Sequence, residues 1–396
     1  MCNKVFVLLI SMASTAALAF DNDLSIDRPN FFTESFLDLN KAEFNEYLND
    51  QWYQSENGWR ISSHSMTRNL TYINTELKLH QDLSEYAGMR LLYAQELFYV
   101  EKENEALNLE FEVRPLPPKQ ITFSILGNFN YEKSGSDQGY AITLGKRTAN
   151  FFRISNTAVD KYYNSKIDDN SRVNKPQHIL AIETAYHWSP SLQARLSYKD
   201  FSPTEILYDD QVTIFTHQGF EYDGFIKYKY NENNSYKIRF KGLELEKSIS
   251  GATDEGQEIK YDSIDLKWLT RQQHDYKFSF GLRYDNFTNN IYSITTLNSV
   301  LDYPFRTRQI YATVNHAYSD QKEWHIGLYS GLTNEPNNFG SSTPDQSHVY
   351  ENKLDFAWVY HSVNKKSSVY LHMSLNLDDF NEDPGDGGGI TYQSTF

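Results

Sequence analysis

The sequence predicts an all-β protein, namely a transmembrane antiparallel up-and-down β-barrel of 16 or 18 strands. Polar and apolar residues alternate with a period of two in many segments of about ten residues, the length of a tilted membrane-spanning strand. Short and long polar connections separate these segments in turn. Aromatic residues are frequent, with 29 Tyr, 25 Phe and 6 Trp in 396 residues. Membrane barrels place such residues in girdles at the two interfaces.

The alternation is the main support for strands. Leu107, Leu109, Phe111 and Val113 alternate with polar neighbours, and the same pattern returns near the end of the chain. One such segment is weak support, but ten or more in series favour a large β-sheet. The clearest segments are 107–114, 121–131, 220–230, 276–285, 310–318, 354–361 and 369–377.

The connections fit a barrel with short turns on one side and longer loops on the other. If the last strand runs toward the periplasm, every long loop falls on the outer side. The count is 18 strands from Gly58 onward, or 16 if the weaker strands 58–66 and 70–80 are dropped. Short turns are predicted at 189–191, 231–234, 271–274, 319–322 and 364–366. Longer loops are predicted at 158–177, 200–218, 247–258, 288–306, 333–349 and 378–388.

The strand from Tyr236 to Glu246 changes phase after Gly242. This change predicts either a β-bulge or a strand that rises above the membrane. The alternative architecture for the whole chain is a soluble β-sandwich or propeller. Sandwiches use shorter strands of about five or six residues, and no blade-like repeat is visible.

The N-terminal residues resemble an export signal. Lys4 precedes an apolar stretch from Val5 to Leu18, and Ala17-Leu18-Ala19 has the form of a cleavage site. An uncleaved anchor is the alternative. Residues 1–19 are therefore predicted to be a signal peptide, 20–57 a periplasmic or lumenal segment, and 58–396 the barrel. Within the middle segment, Leu37 to Leu48 is compatible with a short helix that caps the periplasmic mouth or enters the lumen.

Composition excludes several functions. The only cysteine is Cys2, so a mature chain beginning at Phe20 has no disulfide, no cysteine-bound metal and no cysteine nucleophile. A formal charge of −15 argues against nucleic-acid binding, which needs a basic surface. The sequence contains no G-x-S-x-G, H-E-x-x-H or P-loop motif. We therefore expect no enzyme and no cofactor, and the alternative is an outer-membrane hydrolase with a Ser-His-Asp site assembled from separate strands.

Basic residues on predicted inward faces suggest a charged lumen. Arg239, Lys241 and Arg283 lie deepest and are the candidates for lining a constriction. Lys229, Lys237, Lys267 and Lys277 lie beside the short turns, and a solvated rim is the favoured interpretation for these four. The full set on the polar side is Lys227, Lys229, Lys237, Arg239, Lys241, Lys267, Lys277 and Arg283.

Two loops carry acidic residues. The loop 158–177 contains Asp160, Asp168 and Asp169, and in a barrel of 16 strands it would be the third outer loop, which general porins fold into the lumen. An ordinary surface loop is the simpler interpretation. The loop near the C-terminus is dense in oxygen donors and could bind a divalent cation or a cation-bridged lipopolysaccharide, although a flexible acidic loop is the favoured interpretation. Its acidic residues are Asp378, Asp379, Glu382, Asp383 and Asp386.

The C-terminal residues, from Gly389 to Phe396, resemble the terminal strand by which outer-membrane barrels are recognised for insertion. Ile390, Tyr392 and Phe396 share one face, whereas Ser394 departs from the usual apolar or aromatic residue. The resemblance is to porin-like barrels in general and covers residues 58–396. It implies a bacterial outer-membrane location and partners that include the barrel-assembly machinery and outer-membrane lipid.

A barrel of this size leaves an aqueous channel unless something blocks it. The sequence therefore predicts a porin-like channel for passive diffusion of small hydrophilic solutes, either as a single chain or as a homo-oligomer. A plugged barrel with a role in surface assembly, export or adhesion is the main alternative.

Overall fold

The computed structural model describes residues 55–396 apart from 14 short stretches. The predicted signal peptide and most of the predicted lumenal segment lie outside the described residues. So do Asp160, Asp169, Asp379, Glu382 and Asp383. The stretches left out are 68–69, 99–102, 117–120, 131–135, 147–149, 159–165, 169–170, 190, 209–213, 252–254, 273–275, 294–298, 337–345 and 379–384.

Every regular element in the described residues is a β-strand. In chain order the strands are β1 Gly58–Thr67, β2 Leu70–Ser84, β3 Ala87–Phe98, β4 Glu103–Leu116, β5 Ile121–Asn130, β6 Ser136–Gly145, β7 Phe151–Ala158, β8 Lys166–Asp168, β9 Ser171–Lys175, β10 His178–Ser189, β11 Leu192–Tyr208, β12 Ile214–Lys229, β13 Asn234–Ser250, β14 Glu255–Gln272, β15 Tyr276–Ser293, β16 Ser299–Ser319, β17 Lys322–Pro336, β18 Gln346–His361, β19 Ser367–Asn376 and β20 Gly385–Thr395.

The strands form one antiparallel sheet that closes on itself. Each barrel strand pairs with its neighbours in sequence, and β1 pairs with both β2 and β20, which closes the ring. β7 pairs directly with β10, so the short β8–β9 hairpin is an addition at the outer rim. Eighteen strands therefore build the wall. This confirms the higher predicted count and includes the two strands that the sequence supported least.

The strand count contradicts the suggestion that the loop 158–177 is an infolded third outer loop. With 18 strands, the connection 159–177 is the fourth on the outer side. Its described part, β9, pairs with β11 at Glu205–Tyr208 and so extends the wall upward. The predicted long loops are also largely strand: β11 and β12 continue through much of 200–218, and β15 and β16 continue through much of 288–306.

Five of the short turns in the described residues share one stabilising device. A Ser or Asn side-chain oxygen accepts a hydrogen bond from the backbone N–H two residues later, which satisfies a donor that the ladder leaves open. The donor–acceptor distances are 3.2 Å for Ser84 and Tyr86, 3.1 Å for Ser189 and Ser191, 2.9 Å for Asn231 and Asn233, 3.3 Å for Ser319 and Gln321, and 3.1 Å for Asn364 and Lys366.

The alternation separates the two faces of the wall as predicted. On β15, Phe280 and Leu282 are about half exposed on the outside, whereas Arg283 and Asp285 are buried on the inside. On β4, Phe111 is exposed and Glu112 is buried. The protein is therefore polar inside and apolar outside, the reverse of a water-soluble barrel.

Of the two alternatives for β13, the structure excludes the bulge and is compatible with a strand that rises above the membrane. β13 pairs with β12 and β14 in unbroken register along its whole length. The sequence pattern changes after Gly242 because the environment of the side chains changes, while the backbone pairing of the strand continues unchanged. Above this point Leu243 and Leu245 are buried on the inner face, and Glu246 is exposed on the outer face.

Tyrosine rings lie across glycines of neighbouring strands. Tyr311 on β16 is the cross-strand neighbour of Gly281 on β15, and its hydroxyl donates to Asp265 on β14 at 2.8 Å. A Cβ added at Gly281 would overlap the Tyr311 ring. Tyr222, Gly242 and Asp262 repeat the arrangement on the outer face, also at 2.8 Å. The absent side chain makes room for the ring and ties three strands together.

We expect Gly281→Ala to lower the free energy of unfolding by about 1–3 kcal/mol, because the Tyr311 ring must leave its site and lose the Asp265 bond. Gly385→Ala is the control, since a Cβ there has nothing within 4 Å. Urea unfolding of the barrel in lipid vesicles measures both. Equal losses for the two variants would contradict the packing role of Gly281.

Candidate pore and its lining

The outer surface carries a broad apolar belt. A soluble protein rarely exposes contiguous apolar patches beyond a few hundred square ångströms, yet here nearly every strand contributes exposed aliphatic or aromatic side chains to the outside. Such a surface is stable against hydrocarbon and unfavourable in water. Its members include Ile125, Ile142, Ile154, Ile226, Ile238, Ile264, Leu282, Ile310, Leu328, Phe356 and Met373.

Aromatic residues edge the belt at the short-turn end. Trp59 on β1 packs on Tyr392 on β20 with ring centroids 4.9 Å apart, and the Trp358 indole donates to the Tyr318 hydroxyl at 2.9 Å. Rings with one polar end and one apolar face suit the membrane–water interface. Other members are Tyr186, Tyr228, Tyr236, Trp268, Tyr276 and Tyr360.

Charged residues edge the belt at the opposite end. Glu244 on β13 lies on the same outer face as Ile238. The Lys260 ammonium on β14 lies 3.7 Å from the Glu244 carboxylate and 2.7 Å from that of Glu258. The belt thus lies between an aromatic edge and a charged edge. Together with the closed ring, these surfaces identify an outer-membrane-type β-barrel.

The three predicted pore-lining residues lie on the inner face, in alternating charge. Arg239 on β13 neighbours Asp265 on β14, and Asp265 neighbours Arg283 on β15. Arg283 is buried and pairs with Asp285 at 2.7 Å, while the Tyr261 hydroxyl also donates to Asp285 at 3.1 Å. Arg283 is thus held within the wall.

The other two candidates are more accessible. Arg239 is about one-third exposed and lies 3.5 Å from the half-exposed Asp223. Lys241 is half-buried and is the cross-strand neighbour of Asp223. The predicted basic sector therefore contains carboxylates that sequence reasoning left out, although Asp223, Asp265 and Asp285 fall on the same polar face. Whether Arg239, Lys241 and Arg283 line the path of a solute stays a prediction.

A second charged region, on β1–β3 and β11, was not predicted. Lys78 on β2 is within electrostatic range of Arg60 on β1 and Arg90 on β3, and also of Arg195 on β11. β2 and β11 are not neighbours in the sheet. Carboxylates accompany these cations, in the pairs Arg60 with Glu76, Arg90 with Glu112, and Lys199 with Glu221.

The signal for this region was weak in the sequence. Glu76, Lys78 and His80 alternate with apolar residues, but they belong to one of the two least secure predicted strands. The approach of Lys78 to Arg195 joins strands far apart in the chain, and no single strand pattern encodes it.

A third charged group lies on the inner surface between β4 and β10. The Arg153 guanidinium on β7 donates to Glu110 on β4 at 2.7 Å and lies 3.4 Å from Glu183 on β10. Ser124 on β5 and Ala141 on β6, inner-face residues of the two strands between β4 and β7, are small and buried. Burial of this cation is tolerable because carboxylates hold it from both sides.

The acidic loop near the C-terminus is only partly described. The Asp378 carboxylate accepts the Asn352 backbone N–H at 2.6 Å and the Asn352 side-chain N–H at 2.8 Å. These bonds, the side-chain one first, hold the pKa of Asp378 below its usual range. Both oxygens are thus engaged in holding the end of β19 to β18. The predicted cation site at Asp378, Asp379, Glu382, Asp383 and Asp386 stays a prediction.

The C-terminal residues form β20 and the end of the chain. Ile390 on β20 and Phe396, directly after it, are exposed, and Tyr392 packs against Trp59. The backbone N–H of Phe396 donates to the Asn57 carbonyl at 3.3 Å. Their role in membrane insertion stays a prediction.

One arrangement resembles a hydrolase site. The Ser368 hydroxyl lies 2.8 Å from His361 Nδ1, and His361 Nε2 lies 3.3 Å from Glu323. Ser368 and His361 are each only 2% exposed. A nucleophile in this position has no space for a substrate carbonyl beside it, so the trio is a buried hydrogen-bond chain in the wall.

Two searches of the described residues gave negative results. No helix there is long and apolar enough to cross a membrane. No group of three or more His, Cys, Asp or Glu side chains there has the geometry of a metal site.

No protein-family model matches the chain, and no curated protein matches it in sequence. Solved structures are similar in architecture. They include OccAB3 of Acinetobacter baumannii, with a TM-score of 0.47, 9% identity and coverage of 86% of this chain and 98% of that one.

Two further structures are similar to the same degree. OccK2 (OpdF) of Pseudomonas aeruginosa, solved in complex with glucuronate, has a TM-score of 0.45 and 9% identity and covers 86% of this chain and 97% of its own. OmpT, an outer membrane protein of Vibrio cholerae in its trimer form, has a TM-score of 0.41 and 9% identity, with 86% and 98% covered. The function of this barrel must therefore be sought in its own surfaces.

We expect Arg283→Met to lower the free energy of unfolding by about 3 kcal/mol, because it leaves the Asp285 carboxylate buried without its cation. Arg239→Met is the matched control. Its partner Asp223 is half exposed, so we expect a loss of at most about 1 kcal/mol. Tryptophan fluorescence during urea unfolding in vesicles measures the difference, and a larger loss for Arg239→Met would refute this ranking.

Proposed function

We propose that the protein is a channel of the bacterial outer membrane through which small hydrophilic solutes diffuse passively. The single observation that carries the proposal is the reversed distribution of polarity in a closed ring of 18 strands. An apolar exterior suits lipid, and a charged interior suits water and dissolved ions. Barrels of 16 to 18 strands are wide enough to hold an aqueous channel.

The most accessible part of the inner wall is basic. On β10–β13 the inward side chains stay partly exposed, among them Arg195, Lys199, Arg239 and Lys241. Lys78 and Arg90 lie on the facing strands β2 and β3. Positive charge along a water-filled path raises the local concentration of anions. The preferred solutes are therefore small anionic or neutral polar molecules.

The decisive test is single-channel conductance of the refolded protein in a planar bilayer. We expect steady, stepwise currents, because the charged inner wall cannot exclude water and ions as an apolar core would. A bilayer that holds the folded barrel, shown by protease protection, and passes no current would refute the proposal.

Selectivity tests the lining. Replacing Arg239 and Lys241 together by Gln should shift the reversal potential in a salt gradient toward cations and lower the anion-to-cation permeability ratio by about twofold. The shift should shrink at 1 M salt, where screening acts within about 3 Å. Lys260→Gln, on the outer face, is the control for a lost charge outside the lumen. An unchanged reversal potential in the double variant would mean that these residues do not face the path.

A further inference from the structure

A groove interrupts the apolar belt on the outside of β13–β17. Two outward residues there have small side chains, Ala312 on β16 and Ser330 on β17. They are diagonal neighbours, since Ala312 lies opposite Leu328 and Ser330 lies opposite Ile310. Larger side chains surround them and leave a groove of about 780 Å³. Its walls include Ile238, Leu266, Trp268, Phe280, Leu282 and Leu328.

The lining of the groove is almost entirely hydrocarbon. The groove opens outward within the surface that faces lipid, where water is scarce and an empty space would forfeit dispersion contacts. Acyl chains are therefore its natural contents. The lining alone does not distinguish one lipid from another, so any preference must come from polar residues at the end of the groove.

Two arginines lie at the end of the groove nearer the long loops. Arg308 and Arg306 follow Ile310 on the outward side of β16, and both are exposed. Arg308 is opposite Tyr284 and Arg306 is opposite Asn286 on β15. The Arg306 Nε donates to the Asn286 side-chain oxygen at 3.2 Å. Its guanidinium group is thus held against the outer surface, at the edge of the belt.

This part of the charged edge is basic. The residues of β17 opposite the two arginines, Asn334 and Leu332, carry no charge. Asp262 on β14 lies in the same row as Arg306, two strands away. Its carboxylate accepts the Tyr222 hydroxyl of β12 at 2.8 Å, so it is engaged from the side away from β16. The edge therefore carries its carboxylates on β13 and β14 and its guanidinium groups on β16.

We propose that the groove and the two arginines form a binding site for a phosphorylated, acylated lipid of the outer leaflet, which is the chemistry of lipopolysaccharide. The acyl chains lie in the groove and a phosphate lies at Arg306 and Arg308. Guanidinium groups bind phosphate through paired N–H donors. The inference goes beyond the channel proposal and needs only the outer-membrane location.

The arginines favour lipid over a second copy of the chain as the occupant. A second barrel seated in the groove would cover both guanidinium groups, and covered cations need carboxylates opposite them. The outward carboxylates described nearby already have partners, as Glu244 has Lys260 and Asp262 has Tyr222. A lipid phosphate supplies the negative charge at the same edge of the membrane as the arginines.

Native mass spectrometry of the refolded protein in detergent tests the headgroup part of the site. The probes are lipid A with both phosphates and lipid A from which the phosphates have been removed. Replacing Arg306 and Arg308 together by Gln should lower the association constant for the phosphorylated probe at least about tenfold. Lys322→Gln with Lys366→Gln is the control, because both lysines are exposed at the short-turn end. This control should bind as the native protein does.

A second variant tests the groove. Ala312→Phe fills it and should weaken binding of both probes about fivefold, because acyl carbon loses its contacts there. Ala194→Phe is the matched control. Ala194 is an outward, half-buried alanine on β11, opposite Ile226, and lies on another side of the barrel. We expect its substitution to leave binding unchanged.

Three outcomes would overturn the proposal. The first is equal affinity of the native protein for the two probes, and the second is unchanged affinity in either the double arginine variant or Ala312→Phe. The third is an oligomer of the native protein that Ala312→Phe dissociates without a change in lipid affinity, which would assign the groove to a contact between copies. Lipid binding is measured without ion flow, so these results are separate from a failure of the channel proposal.

Discussion

The backbone pairing of β1 with β20 is the constraint on which the rest of the structure depends. Eight residues of β1, from Gly58 to Ser65, pair with the last strand. In hydrocarbon an unpaired N–H or C=O costs several kcal/mol, so a sheet with two open edges could not remain in the membrane. Closure removes both edges at once and leaves side chains free to differ between the two faces.

Once the ring is closed, alternate residues of each strand face the lumen and the lipid, and this alternation decides which positions are polar. Arg283 and Asp285 face inward, and Leu282 and Tyr284 face outward. Interior cations such as Arg283 and Arg153 are tolerated because each has a carboxylate within reach, Asp285 for Arg283 and Glu110 for Arg153. The inner wall therefore carries opposite charges side by side. The net charge that a solute meets depends on which of these side chains are in contact with water.

Much of the fold was predictable because period-two alternation can be recognised in the sequence without knowing which strands are paired. The short turns at 231–234 and 319–322 and an even count of 16 or 18 strands follow from it. The pattern change after Gly242 was compatible with a bulge and with a strand that rises above the membrane, and only the backbone pairing of β13 excludes the bulge. Strand ends were placed too early in 200–218 and 288–306, since polar residues are equally compatible with loops and with strands in water.

The candidate site was only partly predictable for a different reason. The inward placement of Arg239, Lys241 and Arg283 follows from parity. The pairing of Arg283 with Asp285 depends on side-chain direction, and the approach of Lys78 to Arg195 depends on the cross-section of the closed ring. The deep burial of Ala357 cannot be predicted from the sequence of β18, in which Ala357 looks like any other inward position.

The tyrosine rings that lie across glycines have a consequence for assembly. Shifting a strand by one residue moves each of its side chains to the opposite face, so only one alignment sets Tyr311 beside Gly281 and within reach of Asp265. The contact between Tyr311 and Gly281 therefore favours one alignment of β15 with β16 over a shifted one.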